Sequence, residues 1–217
     1  MNEDNILNEG RILGLSQDLG NKPVPLSSRP PVSDALPTIA YITSEMVSNL
    51  AGENGQAIKA LLSDLGEIAQ IPAVGLPVVF ARFWRACEMW RDLVSYGRRW
   101  DHKAAIKEQS GVQSTFAGAL ISFDVWSNIH YGYVGVGVGF PKFVLLEGAG
   151  YAQYMKTGPV PGWTSRILQS GLFTSLDDPR DVEAIRVGFA LYDEVGTDLD
   201  VEKFVRVLRR SIQKIAD

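Results

Sequence analysis

Residues 124–140 read DVWSNIHYGYVGVGVGF, and a second polar cluster, RRWDHK, occupies positions 98–103. The only two histidines of the chain, His102 and His130, fall in these two stretches. Two kinds of hydrolytic chemistry can be assembled from them. Glycoside hydrolysis needs one protonated carboxyl at the scissile oxygen and a second carboxylate as base or nucleophile. Asp101 and Asp124 are the candidates, with Glu88 and Glu108 in reserve. Asn128 and Tyr131 follow Asp124 by one and nearly two helical turns, where they would orient a sugar or an attacking water. Trp100, Trp126, Tyr131 and Tyr133 offer faces on which a substrate could stack. Cleavage of RNA without a metal needs a base, an acid and a cation on the phosphate; His130, His102 and Lys103 would fill these roles in that order. Each residue also has a plain structural reading. Asp124 suits a helix cap, Asp101 an ion pair with Lys103 or an arginine, and a lone histidine is often a hydrogen-bonded core residue.

Other chemistries find less support. No GxSxG elbow and no Walker loop occurs, and the GVGVGF run lacks the strand and acidic partner of a dinucleotide site. His102, His130, Asp101 and Asp124 could gather round a divalent metal, but no HxxxH, CxxC or Asp-rich spacing calls for one. No cofactor is therefore expected. A non-enzymatic binding or pore-forming role for the Gly-rich stretch is the third possibility. The most apolar window, Tyr133 to Leu146, is broken by Pro141 and Lys142. That leaves it too short to span a bilayer, so stable membrane insertion is not expected.

The elements that would position these groups are mostly helical. If a helix starts at Asp124, then Asp124, Asn128, Tyr131 and Gly135 share one face, and Trp126, His130, Tyr133 and Gly137 an adjacent one. The alternation VGVGVGF also fits a strand, but three glycines would weaken it. A helix tolerates them where another helix packs on the bare backbone. Phe80, Phe83, Trp84, Cys87, Trp90 and Val94 recur at helical spacing over 78–97, ended by Gly97; this stripe is expected to be core rather than a binding platform. Two short helices with a break near GENG are expected over 38–70, and a loop or hairpin over 109–118. An amphipathic helix capped by Asp178-Pro179 follows, and a last one starts at Asp200.

Composition bounds the rest. The chain has 217 residues, 46% hydrophobic and 21% charged, with net charge −4 and one cysteine. A core can form without disulfides, and Cys87 reads as a small buried hydrophobe. Residues 1–74 hold four basic and nine acidic side chains, and residues 75–217 seventeen and sixteen. Neither part has the basic field common in nucleic-acid binders. The acidic start MNEDNILNEG carries no basic and apolar export signal. Residues 1–37 contain five prolines and read as a tail or linker, 38–74 as a short helical segment for delivery or docking, and 75–217 as the principal domain.

Four blocks in order, WDHK at 100–103, DxWxNIHYGYVG at 124–135, LLEGAGYAQ at 145–153 and DDPRDVEAIRVGF at 177–189, resemble the bacterial polymorphic toxin type 44 family, over roughly residues 78–195. Asp101, Lys103, Asp124, Asn128, Tyr131 and Gly132 match its pattern. The residue patterns compose a compact, mainly α (α+β possible) domain with a short hairpin or loop insertion, and the resemblance implies that it is a toxin domain. It also implies an antibacterial effector made in the bacterial cytoplasm, secreted without a Sec signal and neutralised at home by an immunity protein. The N-terminal segment would engage the secretion apparatus or a carrier. A hydrolytic activity on cell-wall glycan is the leading expectation, and RNA the alternative substrate.

Overall fold

The computed structural model describes residues 32–217. Val32–Asp217 forms one compact unit, mainly helical with a small sheet. Its elements run β1 (Ser33–Asp34), α1 (Leu36–Ala51), α2 (Glu53–Leu62), α3 (Leu65–Ala69), α4 (Gly75–Val94), α5 (Lys103–Ser110), β2 (Gln113–Phe116) and β3 (Ala119–Ser122). They continue with α6 (Phe123–Gly137), α7 (Lys142–Thr157), α8 (Trp163–Ser170), α9 (Pro179–Val195) and α10 (Val201–Ile215). The Pro-rich tail expected over 1–37 lies, up to residue 31, outside the described residues.

The Gly-rich stretch is the helix α6, and it is the axis of the fold. It buries Val125, Trp126, Ile129, Tyr133 and Val134 and packs on α9 backbone to backbone. A Cβ built on Gly132 would stand 2.2 Å from the Ile185 carbonyl oxygen, and one on Gly188 would stand 2.2 Å from that of Ile129. Two glycines facing each other let the helix axes approach closer than any side chain would permit. The helical reading of the glycines is thus met, and the strand alternative falls. Asp124, however, is not the cap: Ser122 holds the cap position, and Asp124 sits in the first turn. Its charge still faces the positive end of the helix dipole.

Other boundaries follow the sequence closely. Asp178 Oδ1 accepts from the Arg180 N–H and Asp200 Oδ1 from the Lys203 N–H, starting α9 and α10. The expected hairpin is β2–β3, antiparallel from Gln113 opposite Ser122 to Phe116 opposite Ala119. Its two-residue turn places both Ala117 and Gly118 at positive φ (50° and 83°). β1 adds in parallel to β2, with Ser33 opposite Ser114.

Two expectations need correction. The segment 38–74, read as separate, supplies Ile39, Ile42, Met46, Leu50 and Ile58 to the core that holds Trp126, Ile129 and Val134. The amphipathic face of α1 has its partner in α6, so the segment is integral to the unit. And α4 is less buried than its aromatic stripe suggested. Ala86 and Trp90 are buried along it, whereas Phe80 and Trp84 are 70% and 57% exposed. α4 leans on the core through Trp90, whose ring packs against Trp100, Tyr131 and Phe140 at 5.8, 5.2 and 5.5 Å between centroids.

Candidate functional site

Those large aromatics hold α4 away from α6 and leave a cleft of about 840 Å³ between the elements. Its walls come from α4 (Trp84, Glu88, Arg91) and α7 (Gly148, Tyr151, Met155). Its floor combines the α5 start (Trp100, Asp101, Lys103), the polar face of α6 (Ser127, Asn128, Tyr131) and the α9 start (Asp177, Asp181). The two clusters that opened the sequence analysis therefore meet in one hollow. Sequence alone did not single out the two aspartates that join them.

Asp177 and Asp181 are the most perturbed acids of the cleft. Asp177 is 4% exposed. Burial pushes its carboxyl up to about 6, against the Asp178 backbone N–H and the charges of Lys103 and Arg166, which pull it down. For Asp181, burial and the nearby Asp124 and Asp177 carboxylates push it up to about 7, with Lys103 pulling the other way. Lys103 is thus close enough to act on both, and Asp124 adds its charge beside Asp181. Desolvation, like charges and the cations Lys103 and Arg166 together form the arrangement that separates an acid from a base near neutral pH.

The segment that carries Asp177 is held from two sides. Glu147 of α7 accepts from the Phe173 N–H (2.9 Å), the Thr174 N–H (3.2 Å) and the Thr174 hydroxyl (2.6 Å). Burial alone would raise its pKa; these three bonds outweigh it and keep Glu147 below the usual carboxylate range. Arg166 donates to the Ser175 and Asp177 carbonyls at 2.6 and 3.2 Å. On the facing side, Tyr131 donates its hydroxyl to the Leu145 carbonyl (3.0 Å), and burial keeps that hydroxyl protonated. The Asn128 Nδ2 and Trp90 Nε1 are buried donors without a protein partner among the described residues, and both side chains line the cleft.

The histidines lie elsewhere. His102 and His130 are 3% and 0% exposed, and neither lines the cleft. Their Nε2 atoms stand 3.3 Å apart behind it, against α1. Tyr41 Oη is 3.0 Å from His102 Nδ1, Asn49 Nδ2 is 3.0 Å from His130 Nε2, and Glu45 reaches His102 at 4.0 Å. With Nε2–H on His102 and Nδ1–H on His130, Tyr41 donates to His102 Nδ1, and the one lone pair of His130 Nε2 is shared between the Asn49 and His102 N–H groups. His130 Nδ1–H is then left buried without a partner. Burial lowers the pKa of both rings, His130 well below its ordinary value, with His102 adding to that fall. Two buried neutral rings clamping α1 to α6 are poor placements for a base and an acid that must reach a substrate.

The remaining expected residues divide. Trp100, Asp101, Lys103, Asn128 and Tyr131 line the cleft, but Trp126 and Tyr133, expected to stack on substrate, are 0% exposed. Their apolar bodies fill the core between α6 and its neighbours, and the Tyr133 hydroxyl donates to the Gly196 carbonyl (2.7 Å). Asp101 caps its own turn: Oδ2 accepts from the Gly97 N–H (2.8 Å) and Oδ1 from the Lys103 N–H (3.3 Å). It forms no ion pair with Lys103. The signal for Asp177, Asp181 and Glu147 was their place in the third and fourth sequence blocks, where they carried no assigned role. Among the described residues no three His, Cys, Asp or Glu side chains gather as a metal site, and no helix is long and apolar enough to cross a membrane.

In comparisons with known proteins, residues 89–194 match the profile of a family described as bacterial toxin 44. That stretch carries Trp100, Lys103, Asn128, Tyr131, Asp177 and Asp181, the floor of the cleft. No curated protein and no solved structure matches the chain.

Proposed function

We propose that this chain, whose residues 89–194 match the bacterial toxin 44 family, is an antibacterial effector whose cleft hydrolyses cell-wall glycan by paired carboxyl chemistry. The observation that carries the reading is the buried Asp177 and half-buried Asp181 beside Lys103, at the floor of an aromatic-walled cleft. Asp181, half protonated near pH 7, gives its proton to the glycosidic oxygen as the C–O bond breaks. Asp177, ionised at that pH, takes a proton from the attacking water. Lys103 favours the ionised form of Asp177 and would steady charge on the floor. Asn128, with its unpartnered amide, holds a sugar hydroxyl or the water. The roles first expected of Asp101 and Asp124 thereby shift: Asp101 shapes the turn, and Asp124 raises the proton affinity of Asp181.

The same floor argues against RNA. Glu88, Asp101, Asp177 and Asp181 line the cleft against Arg91, Lys103 and Lys156, so a phosphodiester would meet no basic field there. The histidines that a metal-independent ribonuclease would use are sealed behind the cleft. A cognate immunity protein and a carrier engaged through the N-terminal region remain part of the proposal.

The decisive experiment expresses the chain in a bacterium with and without an export signal, and separately incubates purified protein with isolated cell-wall sacculi. Toxicity on export, together with release of reducing sugar ends that Asp181→Asn abolishes, is the expected result. Toxicity confined to the cytoplasm, accompanied by RNA breakdown, would replace this reading with the nuclease one.

A further inference from the structure

The aromatic side chains that the sequence offered for stacking are mostly buried, yet the cleft is edged by others. Trp84, Tyr96 and Tyr151 line it and are 57%, 82% and 50% exposed. Large aromatics left open beside a polar floor call for an explanation, because water contact with their faces is unfavourable. Each ring is also braced. Trp84 stacks on Phe80 (6.3 Å between centroids, 20° between planes), and its Nε1 donates to Glu88 Oε1 at 3.2 Å. Tyr151 meets Phe173 edge-on at 5.4 Å, and Lys156 Nζ lies 5.0 Å from the Tyr96 ring centre. A ring already held in place loses little freedom when a ligand covers it.

The cleft-lining residues of α4 run from Trp84 to Val94, roughly 15 Å along the helix axis, with Trp90 between them. Groups flanking the rings are those that bind hydroxyls: Glu88, Arg91 and Gln153 all line the same cleft. A pyranose ring has an apolar C–H face and an edge of hydroxyls, so it fits an aromatic plane bordered by carboxylate, guanidinium and amide. One carboxylate, Glu88, and two cations, Arg91 and Lys156, flank the rings, a mixed set of donors and acceptors suited to hydroxyl groups.

We propose that Trp84, Tyr96 and Tyr151 form a rim subsite that binds a linear glycan and feeds it to the Asp177–Asp181 floor. The inference rests on the hydrolase reading for its substrate class but concerns different residues. Trp84 lies ahead of the stretch that matches the family.

The test measures binding of a β-1,4-linked N-acetylglucosamine oligosaccharide to the full chain by calorimetry, in an Asp181→Asn background that removes turnover. Trp84→Ala and Tyr96→Ala are each expected to weaken binding about tenfold, and Trp84→Phe to restore most of it, with unfolding midpoints unchanged because both rings are exposed. On sacculi with Asp181 intact, the same alanine variants should raise KM more than they lower kcat. Oligosaccharide binding that is indifferent to Trp84 and Tyr96, while wild-type protein still cleaves sacculi, overturns the subsite and leaves the proposed reaction standing. Trp84-dependent oligosaccharide binding by a protein that cleaves no sacculi supports the subsite and removes the reaction. Trp84-dependent binding of an RNA oligonucleotide with none of the sugar overturns the subsite as drawn.

Discussion

At the scale of single residues, Asp177 and Asp181 set the pH behaviour. Activity in the proposed roles needs Asp177 ionised and Asp181 protonated. A bell-shaped kcat/KM profile on sacculi is therefore expected, with limbs that belong to the coupled pair and fall near 6 and 7. Asp181→Asn and Asp177→Asn should each lower activity by at least about a hundredfold. Both should also raise the unfolding midpoint at neutral pH. A carboxyl whose folded-state pKa is raised contributes its stability below the unfolded value near 4, and that stability is lost as pH rises through 6. An amide at 177 relieves of the order of 2 kcal/mol at pH 7. A variant that is inactive but not more stable would contradict that account of the shift.

The histidines carry the opposite sign. His130 has a lowered pKa because it is buried beside His102. Its contribution to stability is complete above about 6.5 and lost as pH falls below that value. The groups around the pair are Tyr41 and Glu45 from α1 and Asp101 ahead of α5; the two carboxylates soften the effect on His102. His130→Gln should leave sacculus cleavage within about threefold of wild type and flatten the fall in thermal stability between pH 7 and 5. Loss of cleavage with an intact fold would return His130 to the chemistry.

At the scale of elements, the crossing of α6 and α9 governs whether the floor exists. Gly132→Ala sets a methyl against the Ile185 carbonyl, and backbone cannot move aside as a flexible side chain can. Destabilisation of roughly 3 kcal/mol is expected from chemical denaturation. Because the same helices carry Asn128 and Asp181, activity should drop even where the variant stays folded. The β2–β3 turn offers the reverse case. Ala117 has φ 50°, which glycine and asparagine adopt with less strain. Ala117→Gly should add about 0.5–1 kcal/mol and leave activity untouched, as the turn lies away from the cleft. The glycine pattern was legible because only close helix contact makes so many glycines in one helix tolerable. The fate of α4 was not. Its period of 3.6 identifies a helix, but Trp84 and Trp90 are equally apolar, and nothing in their spacing says which one meets Tyr131.

At the scale of the molecule, α1 is the test of unity. It buries Ile39, Ile42 and Met46 in the common core and donates hydrogen bonds from Tyr41 and Asn49 to the paired histidines. A fragment of residues 75–217 should therefore lack a cooperative thermal transition, whereas residues 32–217 should fold and retain cleavage. A folded, active 75–217 fragment would restore the boundary expected from the prolines at 72 and 77.

By itself the sequence determined the helical class, the caps at Asp178 and Asp200, the packing role of the glycines and the likeness to a toxin family. These are written in local spacing and in ordered blocks, where neighbours along the chain are neighbours in space. Only the tertiary structure decided which polar groups share a cleft. It turned His102 inward and Lys103 outward from adjacent positions, and it carried Asp177 and Asp181 to Lys103 across more than seventy residues of chain. Burial and mutual charge set the chemistry of a carboxyl, and both are properties of the assembled surroundings that no stretch of sequence contains.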